Sequence, residues 1–325
     1  MKPMKFPVLF LIALLAAACA APTPTPTLPA PEVSVAQATA TPIPAVVFPL
    51  TVTDGLGRTI TLESPAQHII SLAPSNTEIL FALGAESQLV GRDASSDYPE
   101  AALQIADIGD TFLELNTELI ISAEPDLVLA AEITPIEQVS QLEQLGINVF
   151  WLANPVDFAG LYANLATVGQ MIGREHEAAE LSISLQARVA AVETTLAGVT
   201  EKPTVFYEID ASDPAAPWTS GTGTFIDLLI TGAGGVNAAA GLQGAYAQMS
   251  IEALLVQDPD FILLGDALYG VTVESVGQRA GWSELSAVQN GSVIPFDPNK
   301  ATRPGPRLVD ALEELARLLH PDLFN

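Results

Sequence analysis

From residue 48 onward, short continuous apolar runs alternate with stretches whose apolar residues recur every three or four positions. The runs span His68–Leu72, Gln88–Gly91, Asp126–Ala130, Asn148–Leu152, Thr204–Ile209, Asp260–Leu264 and Ser292–Phe296. Their length and the turn residues that bound them predict buried strands. Thr77–Leu83, Pro135–Leu145 and Leu308–Leu319 carry helical spacing, and Ser75-x-x-Glu78 and Thr134-Pro-Ile-Glu137 read as capping boxes at two of the starts. Strands alternating with helices of this length predict parallel sheets flanked by helices, an α/β protein. Two regions break the rhythm. Residues 48–62 alternate on either side of Asp54-Gly55, which predicts a short hairpin. From Asp157 to about Ala197 only helical periodicity is present, interrupted near Gly173 and resuming at Glu175. A helix of about twenty residues spans about 30 Å, enough to bridge two lobes.

The N-terminus has a different character. Lys2 and Lys5 precede an apolar run from Phe6 to Ala18 that is too short for a comfortable membrane span, the layout of a secretory signal over residues 1–18. The run ends in Leu15-Ala-Ala-Ala-Cys19, which resembles a bacterial lipobox although Ala16 stands where leucine is usual. Cys19 is the only cysteine in the chain and the expected lipidation site, so no disulfide is available to the exported protein. Residues 19–47 are rich in Pro, Thr and Ala and poor in large apolar side chains, and read as a stiff tether from a lipid anchor. An extracytoplasmic location on the outer face of the cytoplasmic membrane or in the periplasm follows from this reading.

Charge narrows the function. Twelve Lys and Arg stand against thirty-eight Asp and Glu, and removal of Lys2 and Lys5 takes the net charge from −26 to −28. Such a surface repels nucleic acid and anionic headgroups. Catalytic chemistry is poorly provided for: His68, His176 and His320 are scattered singly, and Ser220-Gly-Thr-Gly-Thr224 lacks the third glycine of a dinucleotide fingerprint and the lysine of a P-loop. The chain is therefore read as no enzyme and as carrying no resident cofactor. An exported hydrolase and a stalked adhesion or scaffold module are the competing classes.

Several segments together resemble one family. Ser71-Leu-Ala-Pro-Ser-Asn-Thr-Glu-Ile-Leu-Phe-Ala-Leu-Gly84, Val90-Gly-Arg-Asp-Ala-Ser-Ser-Asp-Tyr-Pro99, Glu124-Pro-Asp-Leu-Val-Leu-Ala130 and Leu142-Glu-Gln-Leu-Gly146 are similar to the first lobe of the substrate-binding lipoproteins of ABC importers for cobalamin, heme and ferric siderophores. Trp218-Thr-Ser-Gly221, Gly234-Gly-Val-Asn237, Met249-Ser-Ile-Glu252, Asp258-Pro-Asp260 and Arg303-Pro-Gly-Pro-Arg-Leu-Val-Asp310 follow in the family's order for the second lobe. The resemblance implies two Rossmann-like lobes, 48–156 and 201–325, joined by a long backbone helix within a helical connector at 157–200, with the ligand in the cleft between them. It also implies a monomer that captures a small-molecule metal complex (heme, a ferric siderophore or a cobalamin) and hands it to a permease and ATPase complex.

The residues expected at the ligand are Ser75, Asn76, Tyr98, Phe112, Trp218 and Arg303. Loops beyond the carboxyl ends of strands present amides and hydroxyls at helix starts, which recommends Ser75 and Asn76; Tyr98 and Trp218 would offer flat walls, and in a heme complex Tyr98 would be the metal ligand. Phe112 stands where heme binders of the family place a tyrosine and arginine pair. Lys300, Arg303 and Arg307 form the basic cluster of an acidic second lobe, suited to carboxylates or phosphate. Arg307 has a second reading, as the start of the last helix paired with Asp310 or Glu314. The family's permease-docking glutamates fall on Glu137 and Glu252, whose positions at helix starts also suit capping.

Overall fold

The computed structural model describes residues 46–324, the side chain of Glu114 excepted. Residues 1–18, the lipidation site Cys19 and nearly all of the 19–47 tether lie outside the described residues. Everything described falls within one compact unit.

In the first lobe, β1 (Leu50–Thr53) and β2 (Thr59–Leu62) form the expected antiparallel hairpin. Gly57 takes a positive φ in its turn, and Asp54 accepts from the backbone N–H groups of Leu56 and Arg58. The chain continues through β3 (Ile69–Ser71), α1 (Pro74–Ala82), β4 (Leu89–Arg92), the short pair β5 (Gly109–Asp110) and β6 (Glu114–Leu115), α2 (Thr117–Ser122), β7 (Leu127–Ala131), α3 (Ile136–Gln144) and β8 (Val149–Leu152). Strands β4-β3-β7-β8 make a parallel sheet in that order. Then come α4 (Phe158–Ile172) and the 22-residue α5 (Glu175–Leu196). Asp157 caps α4 by accepting from the Gly160 N–H, and left-handed Gly173 ends it. This is the break expected near Gly173.

The second lobe runs β9 (Thr204–Glu208), β10 (Trp218–Ser220), α6 (Phe225–Gly232), β11 (Val236–Asn237), β12 (Tyr246–Gln248), α7 (Ile251–Gln257), β13 (Phe261–Leu264), α8 (Val273–Gly277), α9 (Ser286–Gln289), β14 (Val293–Pro295), α10 (Pro298–Ala301) and α11 (Leu308–Leu319). Its parallel sheet has the order β11-β9-β13-β14.

Both sheets are covered on both faces, so their strands are mostly apolar and distribute their side chains with period two. Ile69, Leu127, Leu129, Val205, Tyr207 and Leu263 point to one shared core with α4, α5 and α11. Ile70, Val128 and Trp151 fill a separate core on the far side of the first sheet, and Phe206, Ile262 and Leu264 another beyond the second. The shared core fuses the lobes along their backs, with Leu165 and Leu185 from the two long helices inside it.

Two capping expectations are corrected. Helix α1 starts under Ala73, ahead of the expected Ser75, so its N-cap residue has no side-chain acceptor and Ser75 falls within the first turn. Helix α3 starts under Pro135, while the Thr134 hydroxyl accepts from the Ala131 N–H at 3.1 Å.

Candidate functional site

In each sheet the chain adds its second strand to one side of the first strand and its third to the other, creating a switch point between β3 and β7 and another between β9 and β13. Open α/β sheets bind ligands beyond the carboxyl ends of strands at such points. A cavity of about 780 Å³ opens where the two sets of carboxyl ends face each other. From the first lobe, Ser75 follows β3, Glu132 and Ile133 follow β7, Asn154 follows β8, and Phe112 comes from the β5–β6 turn. From the second, Asp210 follows β9, Tyr269 follows β13, Asn299 and Arg303 follow β14, and Trp218 and Tyr246 stand on an antiparallel ribbon formed by β10 and β12. The segment from Trp218 is a strand for its first three residues, which fixes the indole as a wall.

Of the residues expected at the ligand, Ser75, Phe112, Trp218 and Arg303 line this cavity. Asn76 is placed elsewhere. It is fully buried and donates its side-chain amide to the carbonyls of Leu129 and Ala130 at 3.0 and 3.1 Å, tying α1 to the end of β7. Tyr98 is half-exposed outside the lining, with the Arg307 guanidinium stacked 3.9 Å from its ring centre. Glu137 and Glu252 are exposed in the first turns of α3 and α7, one on each lobe.

The basic cluster is occupied by its own protein. Glu78 on α1, 3% exposed, accepts from Arg307 Nε at 2.8 Å, from Arg307 Nη2, and from Arg303 Nη1 at 3.3 Å. Arg303 also donates to Asp97 at 2.5 Å and to the Ser95 carbonyl at 3.4 Å. Burial raises the pKa of Glu78, against the downward pull of Arg307 and Arg303. Burial acts upward on Asp97 too, but the hydrogen bond and charge of Arg303 prevail and hold it below the usual carboxylate value. The loop carrying Asp97 is pinned from behind by a chain of buried hydroxyls, Ser71–Thr77–Ser96, that ends on Asp93. The pairing of Arg307 with Asp310 or Glu314 does not occur, since Arg188 takes Asp310 and Lys300 takes Glu314.

Around the aromatic walls the fixed charge is negative. Glu132 holds Asn154 through hydrogen bonds of 2.9 and 3.2 Å, and its charge, added to burial, pushes Tyr246 up to about 12. Sequence reasoning missed Tyr246, Tyr269, Glu132 and the partner role of Glu78. The two tyrosines carried a signal, being aromatic side chains isolated beside Gly244 and Gly270 in segments with little else to bury. The glutamates carried none. No cluster of His, Cys, Asp and Glu fit to hold a metal ion occurs among the described residues. An arrangement of this kind clasps a flat, bulky ligand between aromatic faces and offers acceptors to its rim.

A family model described as periplasmic binding protein matches residues 69–299. An ABC transporter substrate-binding lipoprotein of Bacillus subtilis, YvrC, is 34% identical over 284 residues, covering 86% of this chain and 88% of that one. A cobalamin-binding protein of Halobacterium salinarum is 29% identical over 283 residues, 85% of this chain and 75% of the other. Among solved structures, the apo periplasmic heme-binding protein RhuT of Roseiflexus sp. RS-1 superposes with a TM-score of 0.71 at 28% identity, covering 79% of this chain and 99% of that one.

Proposed function

From the premise that the chain belongs to the periplasmic binding protein family, we infer that it is the extracytoplasmic receptor of an ABC importer and that its cargo is a corrinoid of the cobalamin type. Substrate-binding proteins of such importers work with a permease and an ATPase, and the family is a class of solute binders rather than of catalysts. The observation that carries the choice of cargo is the cavity's charge: Arg303, the cation in its lining, is already paired with Glu78 and Asp97, while Glu132 and Asp210 add carboxylates. A corrinoid brings an apolar ring system for Trp218, Phe112 and Tyr246 and carboxamide N–H donors for the carboxylates. Heme is the second reading. The likeness to a heme-binding protein favours it, whereas the stacking of Tyr98 beneath Arg307 and the lack of a free guanidinium for propionates weigh against it.

Attachment through a lipid on Cys19, a monomeric state and docking to the permease through exposed Glu137 and Glu252 complete the reading. Replacing both glutamates by Ala is expected to abolish uptake and leave affinity and fold unchanged; persistent transport would sink the docking role. The cargo is tested by titrating the protein with cyanocobalamin and with hemin while following tryptophan fluorescence, with Trp218→Phe as the control for the cavity indole. Micromolar or tighter cobalamin binding that survives Tyr98→Phe is expected. Tighter hemin binding, with a tyrosinate charge-transfer band erased by Tyr98→Phe, would move the assignment to heme, and binding of neither would move it to a ferric siderophore.

A further inference from the structure

We propose that Glu78 is a positioning residue that sets the charge preference of the cleft, keeping the guanidiniums of Arg303 and Arg307 in ion pairs so that they do not serve the ligand as anion partners, and so selecting complexes without strong negative charge. The inference rests on the metal-complex reading given above and extends it to a residue that does not itself line the cavity.

Two guanidiniums stand at one edge of the cleft, one of them in the cavity lining. Arginine's planar fork is the side chain best matched to a carboxylate, and left free this pair would make an anion site. Glu78 removes that option. It receives two hydrogen bonds from Arg307 and one from Arg303, and Asp97 takes the remaining reach of Arg303. Two cations are thus set against two carboxylates, and Asp93, buried close behind, lies in the fields of Arg303 and Arg92. What the ligand meets is the uncompensated charge of Glu132 and Asp210. Arg307, which is outside the cavity lining, is held further by lying over the Tyr98 ring. The loop between the arginines lies in ordinary van der Waals contact with the α1 turn, a Cβ at Gly305 falling 3.4 Å from the Ser75 carbonyl oxygen, and it is the ion pairs with Glu78 and Asp97 that hold the arginines in place.

The test uses ligands matched in shape and differing in charge, on the full chain: cyanocobalamin against its monocarboxylic acid, and hemin dimethyl ester against hemin. In whichever pair binds, the wild type is expected to prefer the neutral member by about tenfold, the scale of one unfavourable partly screened charge contact. Glu78→Gln keeps the shape and removes the charge, and is expected to bring the pair to parity or reverse the preference. Adding Arg303→Gln to it is expected to restore the preference for the neutral member. A role confined to holding the fold would weaken both members equally and leave the ratio unmoved; an unmoved ratio in a folded Glu78→Gln protein overturns the proposal. Should that variant fail to fold, Asp97→Asn releases Arg303 from its exposed partner and is expected to shift the ratio the same way by a smaller factor; no shift there overturns it equally. Failure of both pairs to bind rejects the corrinoid and heme readings on which the charge preference rests, whereas binding with an unmoved ratio rejects only the role of Glu78.

Discussion

Each lobe buries one glutamate under an arginine that is stacked on an aromatic ring. In the first lobe Glu78 meets Arg307, which lies over Tyr98. In the second, Glu208 at the end of β9 takes a bidentate pair from Arg279 at 2.6 and 2.9 Å, and that guanidinium lies 4.5 Å from the centre of a Trp282 ring. The chemistry is shared and the topology is not. Glu208 and Arg279 both belong to the second lobe and brace its interior, while Glu78 pairs across the lobe boundary with the segment after β14. The same ion pair is an internal strut in one place and an inter-lobe tie in the other. The difference also sets how each responds to loss of a partner, because Glu208 has one guanidinium and Glu78 has two.

Arg279→Ala is therefore expected to have the largest effect. It leaves a fully buried carboxylate without its cation, which costs about 3–5 kcal/mol, read as a lower urea midpoint at pH 8. The loss should shrink at pH 5, because burial pushes Glu208 up to about 7 even with Arg279 present, so the carboxyl takes a proton instead. Arg307→Ala is expected to cost less, about 1–3 kcal/mol, since Arg303 remains 3.3 Å from Glu78. Equal losses from Arg279→Ala and Arg307→Ala at pH 8 would break the comparison. The wild type is expected to close only slightly on ligand binding, because the long helices and the shared core resist a wide hinge, and a large fall in the radius of gyration by scattering would count against this.

The pH dependence sharpens the contrast further. The folded pKa of Glu208 lies above its ordinary 4.5, so between that value and about 7 the folded state holds more protons than the unfolded. Stability contributed by this group is then largest below the window and falls as pH rises through it, by up to about 1.4 kcal/mol per unit. Glu208→Gln should flatten most of that slope. The remainder belongs to Glu78, Asp93 and Asp266, also raised by burial, while Asp54 and Asp97 are held low and act only in stronger acid. Asp97→Asn should change stability least, about 0.2–1 kcal/mol, as its carboxylate is more than half exposed.

The layered fold was legible because each strand is a local apolar run whose burial on both faces demands it, and each long helix a local period. Leu308–Leu319 and the break at Gly173 appear in the structure where the pattern placed them. The cavity was legible in part. Trp218, Phe112, Ser75 and Arg303 were reachable because aromatic, hydroxyl and cationic side chains in short segments after strands have few other uses there. Asn76 stood in the same kind of segment and proved to be a brace between α1 and β7, since whether a helix-start side chain faces the cleft or the sheet depends on the helix's rotation against its neighbours.

By itself the sequence determined seven of the eight strands of the two parallel sheets, the long helical connector and the acidic surface, all consequences of composition and short-range period. Only the tertiary structure decided that the basic cluster is closed rather than open. Arg303 and Arg307 meet Glu78 across more than two hundred residues of chain, and an ion pair at that separation has no local signal: each partner sits on its own element for its own local reasons, and only the packing of the two lobes around a shared core brings them within reach.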